Sequence, residues 1–126
     1  MTHGNVSIRF DKGKFYYWHY NGDHYISGIR DDFGFLELLR VRNINELKEF
    51  FKEYYENSEW EINWANMTKR IVNPAIYYSA REAYPSDYSY VLDHFFNRVL
   101  IYRSTKLIFD GDFIKAEKWI KEYKEK

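Results

Sequence analysis

The chain has 126 residues, no cysteine, and 19 basic side chains balanced by 19 acidic ones. That length suits one domain, the missing thiols exclude disulfides and thiolate metal sites, and charge balance excludes both a basic field for nucleic acid and the acidic excess of a DNA mimic. No stretch approaches the roughly 18 to 20 apolar residues that cross a bilayer, and Met1–Asn5 carry no basic region leading into an apolar one, so the expected location is the cytoplasm.

Val6, Ile8 and Phe10 alternate with Ser7 and Arg9, Asp11 to Lys14 supply a turn, and Phe15 to Tyr20 form an aromatic run. This pattern predicts a hairpin. Asn21-Gly22 is a strong two-residue turn signal, which makes Asp23 to Ile29 a third strand and pairs His19 with His24 and Trp18 with Tyr25. A four-residue first loop pairs Phe10 with Phe15 and Ile8 with Tyr17. One face of the meander then carries Val6, Ile8, Phe10, Phe15, Tyr17 and Ile26, the expected core side, and the other carries Arg9, Tyr16, Trp18, Tyr20 and Tyr25.

Phe33 to Val41 reads as a short helix weakened by Gly34. Asn43 with Glu46 forms a capping-box pattern ahead of Ile44, Leu47, Phe50, Phe51, Tyr54 and Tyr55, predicting a helix over 44–56. Trp60, Trp64, Met67 and Ile71 step at helical spacing until Pro74 ends the segment. Strands are expected at Ala75 to Ala80, Asp87 to Asp93 and Arg98 to Arg103, with Lys106 to Phe109 extending the sheet. Asp110 or Asp112 caps a last helix whose apolar stripe is Phe113, Ala116, Trp119, Ile120 and Tyr123. The expected fold is one α+β domain over 1–126, an antiparallel sheet built from an N-terminal β-meander and central strands, with two to four helices packed on it.

For chemistry the sequence offers little. His19 and His24 are the candidate metal ligands, but two donors do not make a site, and His94, Asp93 or His3 lie in distant segments. No nucleophile elbow and no glycine-rich phosphate loop is present, so no catalytic residue and no cofactor is expected. The 13 Tyr, 10 Phe and 4 Trp exceed what so small an interior houses, which places some rings at the surface. Arg9, Tyr16, Trp18, Tyr20 and Tyr25 are the expected partner anchors, followed by Trp60 and Trp64. A protein partner fits neutral charge best. The alternatives are a single-stranded nucleic-acid binder stacking bases on these rings, or a small metal-dependent enzyme using His19 and His24. A homodimer through a sheet edge also remains open.

Tyr17-Trp18-His19-Tyr20-Asn21-Gly22 resembles the Tyr-x-His-Trp-Asp-Gly turn of a group of small uncharacterised phage and mobile-element proteins. Asp87-Tyr88-Ser89-Tyr90-Val91 resembles their later Asp-x-Glu-Tyr-x-Tyr strand. Tyr20, Asn21 and Ser89 depart from the pattern at single positions. The resemblance implies an accessory protein of viral or plasmid origin with no established activity, acting in the host cytoplasm, with host interference or inhibition of a host defence component as a role; the absence of a visible nucleophile or phosphate loop separately favours a non-enzymatic one. It assigns no catalytic residue.

Overall fold

A computed structural model describes residues 3–12, 15–21, 30, 34–54, 71–72, 87–104 and 106–124. Among them, β1 (His3–Arg9), β2 (Phe15–Asn21), β3 (Ile71–Val72), β4 (Tyr88–Asp93), β5 (Arg98–Arg103) and β6 (Lys106–Gly111) form one sheet in the order β3-β2-β1-β4-β5-β6. Among the described residues three helical segments can be bounded: α1 (Phe35–Leu38), α2 (Ile44–Tyr54) and α3 (Phe113–Glu122). The α+β class expected from the pattern is the one observed, and four of the five neighbouring strand pairs are antiparallel.

The exception lies at the centre. β1 runs parallel to β4, Val6 opposite Tyr90 and Arg9 opposite Asp93, so the sheet is mixed rather than wholly antiparallel. A parallel pair needs a long crossover, and the chain between residues 10 and 87 supplies it. β1 is thereby an interior strand.

Alternation along the strands sorts the residues into two buried layers. Val6, Ile8, Tyr88, Tyr90, Leu92, Val99 and Ile101 form one core with Phe35, Leu38, Leu47, Phe50, Phe113, Ala116 and Ile120 of the helices. The opposite parity, Ser7, Arg9, Ser89, Val91, Asp93, Leu100 and Tyr102, is buried as well. β4 is therefore sealed on both sides, which explains why Tyr88 to Asp93 lacks a wet face.

The hairpin register differs from expectation by one residue. Ile8 pairs with Tyr16, Val6 with Trp18 and Gly4 with Tyr20, because β1 stops at Arg9 and Phe10 lies outside the strand. Phe10 leaves the strand to stack on His94, ring centroids 5.5 Å apart. A slip of one exchanges the two faces. Tyr16 thus joins the helix-covered core instead of Arg9's side, while Phe15 is buried beneath Arg9.

Ile71–Val72 is a short strand on β2, Tyr16 opposite Ile71, where helical spacing had been expected. Two β-branched residues favour that edge position over a helix end. Apart from Ile71–Val72, the helix expected from Ser58 to Pro74 lies outside the described residues, as do the strands expected at 23–29 and 75–80. The first helix shrinks to one turn because Gly34 takes a left-handed φ of 67° at its N-cap.

The helix caps follow their sequence signals. Asn43 Oδ1 accepts from the Glu46 amide at 2.9 Å, and the Glu46 carboxylate accepts in return from the Arg42 amide and Asn43 Nδ2, both at 3.0 Å. Asp112 Oδ1 caps α3 through the Lys115 amide at 2.8 Å, while Asp110 pairs with Arg98 at 2.9 and 2.7 Å. Arg30 closes the far end of α3, donating to the Ile120 and Tyr123 carbonyls at 3.0 and 2.9 Å.

Candidate functional site

Arg9 ends β1 and Asp93 ends β4, and their parallel register sets them side by side on one face of the sheet. Their side chains meet in a fork: Arg9 Nε donates to Asp93 Oδ1 and Nη2 to Oδ2, both at 2.8 Å. Arg9 is 4% exposed and Asp93 is fully buried. A buried pair of this kind gains little net stability after desolvation, but it holds geometry, because either charge alone is costly.

What it holds is the β4–β5 turn. Asp93 Oδ1 also accepts from the Phe95 and Phe96 amides at 3.0 and 3.2 Å, and the His94 amide donates to the Arg9 carbonyl at 3.0 Å. Asn97, at φ 53°, turns the chain back into β5. The Arg9 guanidinium lies 5.0 Å from the Phe15 ring centroid, 5.3 Å from that of Phe95 and 5.1 Å from that of Phe96. Each contact joins a desolvated cation to a π-face.

Phe95 and Phe96 are nevertheless largely outside, 45% and 63% exposed, packed edge to face with centroids 4.8 Å apart. Two phenyl rings in water at a hairpin tip, on a backbone tied down by a buried carboxylate, form a rigid apolar knob.

His94 points to the other face. It is stacked between Phe10 and Phe113, 5.5 and 4.1 Å away, with Arg42 Nη1 at 3.1 Å from Nδ1. A guanidinium only donates, so Nδ1 accepts and the neutral ring carries its proton on Nε2, which is buried without a hydrogen-bond partner among the described residues. Burial, reinforced by the Arg42 charge, lowers the His94 pKa to about 4, against the opposing pull of Asp93 and Glu46. The ring is neutral at physiological pH and serves as one leaf of an aromatic stack.

Of the expected anchors, Arg9 is sealed in its ion pair and Tyr16 is half-buried against the core beside Phe10, so neither presents a free surface. Both follow from the one-residue register change. Trp18, Tyr20 and His19 stand on β2 opposite Val6, Gly4 and Asn5. Their side chains, and Tyr25, His24, Trp60 and Trp64, lie outside the described residues. Among the described residues no three His, Asp or Glu side chains gather as a metal site; Asp93 is committed to Arg9, and His94 faces away from it.

Phe95 and Phe96 are site residues that strand spacing does not mark, since His94 to Asn97 separates two strands in the sequence pattern. The signal was present: two adjacent phenylalanines between an Asp and an Asn are apolar residues where a turn demands polar ones. No protein-family model, no curated protein and no solved structure matches this chain.

Proposed function

We propose that the protein is a non-enzymatic binding module that engages a protein partner through the Phe95–Phe96 turn. The observation carrying this reading is the pair of exposed rings on a backbone already fixed by Asp93. Stiff aromatic anchors dominate interface energetics, and a turn ordered before binding loses little entropy on docking. The balanced charge of the chain favours a protein over a polyanion. Inhibition of a host component by a viral or plasmid-borne accessory protein is the role in keeping with the short-motif resemblance, which is its sole support.

The test is capture from host extract by the wild-type chain and by Phe95→Ser/Phe96→Ser. Binding through the turn weakens the variant's capture of a specific partner at least about 30-fold, as expected for losing roughly 2 kcal/mol of anchor energy. Equal capture by both proteins places the contact elsewhere. Retention of single-stranded oligonucleotide by the wild type alone makes the rings a base-stacking surface instead.

A further inference from the structure

The described surface holds a second feature, remote in character from the aromatic turn. α1 and α2 enclose an open groove of about 330 Å³ whose floor is Val41 and Phe50 and whose rim is Glu37, Glu46, Glu49 and Glu53. At 100° per residue the wet side of α2 divides: Lys48 and Lys52 project on one flank, while Glu46, Glu49 and Glu53 share the flank turned toward α1. The groove is therefore acidic over an apolar base.

Its complement lies on the neighbouring helix. Along α3, Ile114, Lys118 and Lys121 recur at i, i+4 and i+7 on an exposed flank, turned away from the buried Phe113, Ala116 and Ile120. Ile114 is 83% exposed, an extreme value for a residue of that size. This stripe is one apolar knob followed by two exposed ammonium groups, of which Lys121 Nζ lies 3.9 Å from Glu117 Oε2 of its own helix, a weak surface pair. Groove and stripe belong to a single surface, because Val41 lines the groove while the adjacent Arg40 reaches across to Glu117 of α3 at 2.6 and 2.9 Å.

A surface with an acidic hollow beside a basic ridge is self-complementary about a two-fold axis. We infer that the groove between α1 and α2 receives the Ile114–Lys118–Lys121 stripe of a second copy of this chain, twice per symmetric dimer. Ile114 of each copy sits over Val41 and Phe50 of the other, and Lys118 and Lys121 meet the glutamate rim. Charge complementarity sets the occupant: an apolar ligand without cations would leave the carboxylates facing low-dielectric surface.

The experiment is sedimentation equilibrium of the full chain with two double variants, Glu49→Lys/Glu53→Lys and Lys118→Glu/Lys121→Glu. All four positions are exposed, so folding is checked by circular dichroism and is expected to be unchanged. The wild type is expected at twice the 15.5 kDa chain mass, with dimerisation weakened about tenfold between 0.05 and 0.5 M salt. Each double variant alone is expected to be monomeric. Mixed in equal amounts, the two variants are expected to form a heterodimer, because one interface then retains its native charges and the other has them reversed on both sides. A monomeric wild type, a dimer indifferent to these substitutions, or no recovery on mixing overturns the proposal. So does a monomeric wild type that binds a lysine-rich peptide probe in the groove, which would assign it to a foreign basic segment.

Discussion

Arg9 and Asp93, 84 positions apart in the chain, close a two-point ion pair with side chains 5% and 0% exposed. Each therefore depends on the other. Asp93→Asn keeps an oxygen for the Phe95 and Phe96 amides but takes the carboxylate charge away from the buried Arg9, at an expected cost of about 3 kcal/mol. Arg9→Met combined with Asp93→Asn is expected to cost less than the two single changes added together, by at least about 1 kcal/mol. Urea unfolding of the four proteins measures this; simple additivity would mean the fork contributes no coupling.

The lowered pKa of His94 makes stability depend on pH in a defined window. The folded ring titrates at about 4 and the unfolded ring near 6.5, so between those values the unfolded chain binds more protons. Stability is flat with respect to this group above pH 6.5 and falls as pH drops toward 4, by on the order of 2 kcal/mol once partial exposure is discounted. A His94→Gln protein should lack that slope. Parallel pH profiles for the two proteins would show that the ring is charged in the stack. Asp110, whose pKa Arg98 holds below 3.8, loses its contribution only at lower pH and does not confuse the comparison.

The rings around Arg9 differ sharply in what they do for the fold. Phe15 is fully buried, and Phe15→Ala is expected to cost about 3 to 5 kcal/mol. Phe96 is 63% exposed, and Phe96→Ser is expected to change stability by less than about 1 kcal/mol. Thermal unfolding separates them. A large loss at Phe96 would make it a structural lid on Arg9 rather than an anchor.

Two backbone positions carry similar tests. Gly34 sits at φ 67°, where a Cβ is strained, so Gly34→Ala should destabilise by about 1 kcal/mol although alanine is the better helix former. Asp112→Ala removes the α3 cap and is expected to cost about 1 kcal/mol. Denaturant midpoints at unchanged slope measure both.

Local chemistry was legible in the sequence and long-range pairing was not. Asn43 and Glu46 announce their cap, and Asp110 and Asp112 narrow the α3 cap to two candidates, because capping is decided within four residues. β4 and β5 match their expected spans within one residue, since both are dense in Tyr, Val, Leu and Ile. The parallel joining of β1 to β4 rests on a partner some eighty residues away, which no local pattern encodes. Register failed for a related reason: Phe10 prefers the ring of His94 to a place in the strand, and that single choice moves Tyr16 into the core. Arg9 looked like a surface cation until Asp93 was beside it.

A photo-reactive residue at position 96, compared with one at the exposed Leu107 of β6, tests the binding role of the turn most directly. The expected result is a single specific adduct from position 96 that disappears when Arg9→Met/Asp93→Ala, which leaves no buried charge unpaired and is checked for folding by circular dichroism, loosens the turn, and none from position 107. Adducts from 107 but not 96, or an adduct at 96 indifferent to Asp93, would contradict it.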